Sequence, residues 1–244
     1  ALNTGDRNVF VGDSSGDAAT DAQYNVGIGN DAMTSLTSGH SNTAVGLNTH
    51  AALTTGDYNI AIGTNAADGF DTEDHNLAIG YAALGGSVAG GEFNTAIGNY
   101  TLDALTSGDH NIAIGYSAGS AVTTGGENTL MGRSAGAGIT IASYNVAIGS
   151  EALDAVVVER QNTAVGTYAL TSHRTSASSV SDTGNTAVGY SAGAGITTGS
   201  GNTLLGANCL DSELVSGSNN IAIGSDNTLN NNGNAHSITI GNNI

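Results

Sequence analysis

The sequence predicts an all-β fold, a parallel β-solenoid or β-roll of about fourteen coils with a 17-residue period. Three observations predict it. A short pattern of asparagine, any residue, a small residue, an aliphatic residue and glycine recurs along the whole chain. Ten of its thirteen intervals are 17 residues long. The composition, with 37 glycines and no proline or tryptophan, is poor in the large apolar residues that a conventional globular core requires.

The first element of the repeat is its asparagine, which we number position 1. The two residues before the next asparagine are called positions 16 and 17, whatever the length of the repeat. Stacked coils place equivalent asparagines about 4.8 Å apart, so we expect an amide ladder; a turn-favouring asparagine without a ladder is the alternative. The pattern begins at Asn8, Asn25, Asn42, Asn59, Asn76, Asn94, Asn111, Asn128, Asn145, Asn162, Asn185, Asn202, Asn220 and, with serine in place of asparagine, Ser237.

Positions 2 to 5 predict a short strand and a corner. Position 4 is a large apolar residue in every copy and position 2 is Thr, Val, Ile or Leu, so these two side chains share one face of a strand. Position 5 is always glycine, which indicates either a positive φ or a close approach of two backbones. Examples are Gly46, Gly63, Gly80, Gly98 and Gly115.

The remaining positions predict a second strand. Position 12 is apolar in many copies and precedes a turn such as Thr54-Thr55-Gly56, so each coil should contain two strands and two glycine-bearing corners. A coil this short encloses few apolar side chains. The small residues at positions 3 and 8 would let another chain approach closely, from which we infer lateral, threefold association. We expect a single repeat domain over residues 1–244, cut from a longer fibre protein.

The charge balance narrows the choice of partners. The chain has 21 acidic residues, four arginines and no lysine, giving a net charge of -17. Nucleic acid and anionic membrane surfaces both select basic patches, so neither is an expected partner. No apolar run is long enough to span a membrane. We expect no enzymatic activity, because no constellation of catalytic residues stands out from the repeat.

The segments NIAIGYSAG at 111–119 and NTAVGYSAG at 185–193 resemble a known family. They look like the head repeats of YadA-like trimeric autotransporter adhesins, and still more like the 17-residue repeats of bacteriophage tail-fibre proteins. The resemblance covers nearly the whole chain, although the coil is longer than the commonest adhesin head repeat. It implies a left-handed β-roll, a homotrimer, an extracellular location on a virion or cell surface, and attachment to a host receptor or glycan.

The expected function is therefore a non-enzymatic structural and receptor-recognition segment of a trimeric fibre. A purely structural extracellular filament or matrix protein is the alternative. An ice-binding solenoid is the third reading, because threonine recurs at position 13 in a column where it could also serve only turn chemistry. The threonines are Thr54, Thr106, Thr123, Thr140 and Thr197.

An acidic column is the candidate metal site. Asp57, Asp74, Glu92 and Asp109 occupy position 16 in successive coils. Clustered carboxylates favour a hard cation such as Ca²⁺. A solvated acidic edge that discourages strand pairing is the alternative, and the sequence leaves both open. No other cofactor is expected.

The repeat that begins at Asn162 is the candidate receptor contact, because it spans 23 residues instead of 17. A loop that leaves a rigid scaffold is where variable contacts concentrate, and an insertion without function is the alternative. The candidate contact residues, which include one from the preceding coil, are His173, Arg174, Ser176, Ser178, Ser179, Asp182 and Arg160.

Overall fold

A computed structural model gives the fold of the chain as two compact units, Ala1–Thr124 and Gly125–Ile244. Each unit is a parallel β-solenoid in which the chain advances one coil about every 17 residues, which confirms the predicted fold class. No helix occurs in the part of the chain that the structure describes. The described residues are 6–86, 90–173, 181–211, 216–227 and 236–242.

Each coil contributes one three-residue strand at positions 2 to 4. Within a unit, each strand pairs in parallel with the equivalent strand of the next coil, so that identical positions face each other, as Ile60 faces Leu77. The strands of the first unit are β1 (Val9–Val11), β2 (Val26–Ile28), β3 (Thr43–Val45), β4 (Ile60–Ile62), β5 (Leu77–Ile79), β6 (Thr95–Ile97) and β7 (Ile112–Ile114).

The second unit repeats this arrangement and adds a small second sheet, in which β10 (Glu159–Arg160) pairs in parallel with β12 (Ser181–Asp182). The strands of its main sheet are β8 (Thr129–Met131), β9 (Val146–Ile148), β11 (Thr163–Val165), β13 (Thr186–Val188), β14 (Thr203–Leu205), β15 (Ile221–Ile223) and β16 (Ile238–Ile240).

The prediction of a second strand in every coil is wrong. Positions 6 to 10 form turns, and backbone bonds between coils continue there without a regular strand, as from Asn65 N–H to the carbonyl of Leu47 at 2.9 Å. The backbone is left-handed at positions 7, 9 and 17, where Asn65, Ala67 and Tyr58 have φ of 55°, 48° and 58°, so a strand near position 12 could extend over only a few residues. A strand cannot continue through such a residue.

The interior of each coil is formed by small and medium-sized side chains. In the coil that begins at Asn59, the fully buried side chains are Ala61 at position 3, Ala66 at position 8, Ala67 at position 9 and Phe70 at position 12. Positions 3 and 8 are therefore not where another chain could approach, and that prediction is wrong. Side chains alternate along a strand, so burying position 3 turns positions 2 and 4 outward.

Candidate functional site

The asparagines form a buried ladder that joins side chains to backbone. Asn59 donates its backbone N–H to Oδ1 of Asn42 at 2.8 Å, and its own Oδ1 accepts the N–H of Asn76 at 2.9 Å. Its Nδ2 donates to the carbonyl of Glu73 at 2.6 Å. The backbone-to-Oδ1 bond recurs at Asn94 and at Asn111, and direct amide–amide bonds also join several pairs. Each asparagine thus fixes the spacing of three successive coils.

The position-5 glycines meet both requirements that the sequence indicated. A Cβ on Gly63 would lie 2.5 Å from the carbonyl oxygen of Gly80 in the next coil, a distance that forces the backbone to move. Their φ angles also lie where L-residues are strained. These angles are 141° at Gly46, 133° at Gly63, 134° at Gly80, 135° at Gly98 and 133° at Gly115.

Positions 2 and 4 form two outward columns in each unit, which we call the aliphatic columns: position 4 is a large apolar residue in every coil, and position 2 is aliphatic in eight coils and threonine in six. In the first unit Ile60 is 41% exposed and Ile62 is 39% exposed; in the second, Leu205 is 48% exposed. Contiguous exposed apolar surface of this kind is uncommon on soluble monomers and marks interaction sites.

Tyrosines border the aliphatic columns at positions 6 and 7. In the first unit Tyr81, Tyr100 and Tyr116 contact each other edge to face, with ring centroids 5.3 and 5.9 Å apart. All three are more than a third exposed. Tyrosine with an apolar body and a polar tip is enriched at interfaces, so this cluster extends the outward surface rather than the core.

The acidic column at position 16 has a structural role. Oδ1 of Asp57 accepts the N–H of His40, and Oδ1 of Asp74 accepts the N–H of Asp57, both at 2.6 Å. Oδ1 of Asp109 accepts the N–H of Glu92 at 2.8 Å. The carboxylates therefore act as acceptors for backbone amides of the preceding coil. Within the described residues, no three His, Cys, Asp or Glu side chains are grouped to hold a metal ion, and calcium binding stays a prediction.

An aromatic column at position 17 runs beside the acidic one and was not predicted. The rings of Tyr58, His75, Phe93 and His110 stack almost in parallel, with centroids 5.0, 4.9 and 5.0 Å apart and interplanar angles of 3°, 10° and 15°. The sequence carried a signal for this column, because an aromatic residue directly precedes the position-1 asparagine in four successive repeats. The left-handed backbone at this position points each side chain along the same column.

The candidate receptor contact is only partly described. His173 was predicted to be a contact residue, and this is wrong, because its side chain is fully buried. It occupies position 12, where other coils have an apolar residue, and its Nδ1 and Nε2 lie 3.1 Å from the carbonyl of Thr197 and 3.2 Å from Nδ2 of Asn185. Arg160 and Asp182 are at the surface and form an ion pair at 2.9 Å. Arg174, Ser176, Ser178 and Ser179 lie outside the described residues.

Two buried glutamates stand at position 15, where most coils have glycine. Oε2 of Glu73 accepts the backbone N–H of Asp71 and Thr72, and Oε1 accepts that of Gly90 at 3.0 Å. Oε2 of Glu159 accepts two backbone amides in the same way. Each glutamate precedes a repeat longer than 17 residues. They satisfy backbone donors where the regular ladder is interrupted.

The threonine column follows turn chemistry. The hydroxyl of Thr37 donates to the carbonyl of Thr54, and those of Thr106 and Thr140 donate to the carbonyls of Thr123 and Val157, all at 3.0 Å. These hydroxyl protons bind the backbone of the next coil, and ice binding stays a prediction.

Three buried side chains have shifted pKa values. Burial lowers the pKa of His50 to about 3, and neither ring nitrogen has a hydrogen-bond partner among the described residues. Burial also lowers the pKa of His173, against the opposing effect of the Glu159 carboxylate. Burial raises the pKa of the Cys209 thiol, which occupies the usual alanine position 8 as a small apolar residue.

Among the described residues, none belongs to a helix that is long and apolar enough to cross a membrane. Comparisons of the chain with known protein families, with curated proteins and with solved structures found no match.

Proposed function

We propose that the chain is a non-enzymatic structural and recognition segment of an extracellular homotrimeric fibre, of the kind found in phage tail fibres and bacterial surface adhesins. The observation that supports this proposal is the pair of outward aliphatic columns at positions 2 and 4. In the proposed fibre, three chains pack these columns against one another. Threefold symmetry and a left-handed coil come from the resemblance of the repeats to those families.

The magnitude of apolar burial supports association. Burying the exposed part of a half-exposed isoleucine contributes roughly 1 kcal/mol. In the first unit, position 4 is aliphatic in all seven strands and position 2 in five of them. The sum is of the order of 10 kcal/mol, comparable with the roughly 4–15 kcal/mol lost in translational and rotational freedom on association. Association at these columns therefore requires many coils to act together.

Recognition in this proposal operates through repetition. A trimer carries three copies of each surface feature at fixed spacing, so weak contacts with a receptor or glycan combine by avidity. The surface pair Arg160 and Asp182, with the adjoining residues 174–180, is the candidate contact. Deleting residues 174–179, which restores a 17-residue repeat and keeps the buried His173, should abolish attachment to a host surface and leave the coils intact. A purely structural filament would be indifferent to the same deletion.

The first experiment is the molar mass in solution by light scattering. We expect three times the chain mass of 23.9 kDa. The double variant Ile60→Asp/Ile62→Asp should be monomeric, because it places charges in the aliphatic columns. The control is Thr55→Asp, an exposed change outside the columns, which should stay trimeric. A monomeric wild-type chain would contradict the fibre proposal, and dissociation by EDTA would add a structural cation to it.

A further inference from the structure

The aromatic column at position 17 exposes the edges of its rings. Phe93 has a ring on each face, His75 at 4.9 Å and His110 at 5.0 Å between centroids, with planes tilted by only 10° and 15°. Phe93 is nevertheless 46% exposed. Since both of its faces are covered, the exposed part of this side chain includes the edge of the ring. His75, which lies between Tyr58 and Phe93, is also exposed.

The stacked rings form a strip of defined length. We call Tyr58, His75, Phe93 and His110 the aromatic strip, and their centroid spacings of 5.0, 4.9 and 5.0 Å make it about 15 Å long. Ser41, which carries no ring, precedes the strip at position 17, and His110 is the last residue at this position in the first unit. A single ring would contact only part of the strip, so its length favours a ligand of several linked rings.

Exposed ring edges favour contact with the face of another aromatic ring. The edge of such a ring is positive and its face is negative, so aromatic rings prefer edge-to-face contact. Tyr81 and Tyr100 already adopt this geometry in the same unit, with an angle of 75° between their planes. A flat aromatic ligand lying along the strip would receive the edge of each ring that it covers, whereas an aliphatic chain has no negative face to offer.

The acidic column beside the strip favours a positively charged ligand. A carboxylate at position 16 directly precedes each ring of the strip, and neighbouring Cα atoms are about 3.8 Å apart, so the two columns run side by side. The carboxylates are Asp57, Asp74, Glu92 and Asp109.

Arginine and lysine side chains do little to neutralise this charge. The first unit has 13 acidic residues, one arginine and no lysine. The arginine, Arg7, precedes Tyr58 by three coils, and its guanidinium lies over the Tyr24 ring, 5.2 Å from its centroid. Among the described residues, both ion pairs belong to the second unit. A second copy of this surface would bring two acidic columns together, so the expected occupant is a cation and not another copy of the chain.

We propose that the aromatic strip and the acidic column of the first unit bind a flat, elongated aromatic cation. The ligand lies along the strip, with its aromatic face on the ring edges and its positive charge toward the carboxylates. The inference goes beyond the proposed fibre role, because the site lies within one chain and does not require a trimer.

The test is a titration of the full chain with thioflavin T, a flat benzothiazolium cation of linked rings, followed by its fluorescence. Phe93→Leu removes the ring at the centre of the strip and keeps an apolar side chain, and Leu84 shows that leucine accepts a left-handed φ. Binding should weaken about threefold to tenfold, the effect of one or two lost edge-to-face contacts. Tyr144→Leu is the matched control, because Tyr144 occupies position 17 of the second unit between Glu127 and Gln161, and it should leave binding unchanged.

A second variant tests the charge. Asp74→Asn retains the oxygen that accepts the Asp57 N–H and removes one negative charge, so binding should weaken about threefold. Added salt should reduce this difference from the wild-type chain. Two compounds serve as controls: anilinonaphthalene sulfonate, a flat aromatic anion, should not displace thioflavin T, and neither should tetramethylammonium, a cation without a ring.

Four outcomes would overturn the inference: no saturable binding to the wild-type chain, undiminished binding to Phe93→Leu, undiminished binding to Asp74→Asn, or displacement of thioflavin T by either control compound. Light scattering on the same samples separates this proposal from the fibre. A monomer that binds thioflavin T retains the site and refutes the fibre, whereas a trimer that does not bind it does the reverse.

Discussion

Acidification should destabilise the fold through His50. This imidazole is fully buried at position 9, with its ring 6.0 Å from that of Phe70, and its nitrogens have no hydrogen-bond partner among the described residues. Its pKa is lowered to about 3 in the folded chain, against about 6.5 in an unfolded chain. Between these values the unfolded chain binds more protons, so the free energy of unfolding falls as the pH falls through 6.5 toward 3.

The two pKa values determine the size of this effect. Linkage gives a slope of about 1.4 kcal/mol per pH unit for one group inside the window. From pH 8 to pH 5 the loss is about 2 kcal/mol, and no effect is expected above about pH 7.5. The lowered pKa of His173 acts in the same direction and adds to the slope of the wild-type chain.

The matched variant is His50→Leu, because leucine occupies position 9 in several coils, as at Leu84 and Leu102 with φ of 50°. It should be more stable than wild type at every pH, since it removes two unpaired buried nitrogens. Its advantage should widen by about 2 kcal/mol between pH 8 and pH 5. The assay is denaturant unfolding followed by circular dichroism at fixed protein concentration, and the exposed His236→Gln is the control. Parallel pH profiles for His50→Leu and wild type would refute the reasoning.

Three further predictions concern the columns, each measured as a shift in the unfolding midpoint. Gly63→Ala should lower the free energy of unfolding by roughly 4 kcal/mol or more, because its Cβ meets the backbone of the next coil. Gly184→Asn, at a left-handed position with nothing within 4 Å of an added Cβ, should leave the free energy of unfolding nearly unchanged. Asn59→Ala should cost about 2–4 kcal/mol by leaving buried backbone groups unpaired, and Asn30→Ala at the surface should change little; equal costs would contradict the ladder. Asp57→Asn retains the acceptor oxygen and removes one of the stacked charges, so the midpoint should be unchanged or higher, with or without calcium; a calcium-dependent loss would instead support a cation site.

The features that repeat every 17 residues were predictable from sequence. An asparagine and a glycine recur at fixed positions in almost every coil. Few folds give a physical reason for both recurrences. Gly63 shows why, since one residue needs both an unusual φ and the absence of a Cβ. Stacking in register brings the backbone of the next coil close to Gly63. It also places Oδ1 of Asn59 where it accepts the backbone N–H of Asn76.

Which face of the strand is buried was not predictable from the residues alone. Positions 2 and 4 were expected only to share one face of a strand, and the alanine at position 3 suggested a contact surface. Phe70 and Leu53 at position 12 fill the interior of their coils, and alanine lies across from them at position 3. Where Leu130 takes position 3, the glycine Gly136 at position 9 leaves room for it. The aliphatic columns are therefore left outside.

The burial of His173 could have been foreseen from the register. Counting from Asn162 places it at position 12, where Leu53 and Ile139 are buried in other coils. The many serines of the inserted segment suggested a surface loop. The predicted loop began too early in the sequence, because it included His173. His173 fills the interior of its coil as Leu53 does, so it belongs to the coil and not to the insertion.

The division between inner and outer positions explains how the exposed surface of such a repeat can vary while the coil stays the same. Ladder bonds and buried side chains fix the coil, and the left-handed backbone at position 17 has nearly the same φ whichever residue occupies it: 62° for Arg7, 58° for Ser41, 57° for Phe93 and 64° for Gln161. A change at this position therefore alters the exposed column without altering the coil. Ser41 shows this, since it interrupts the run of aromatic residues between Tyr24 and Tyr58 at nearly the same φ.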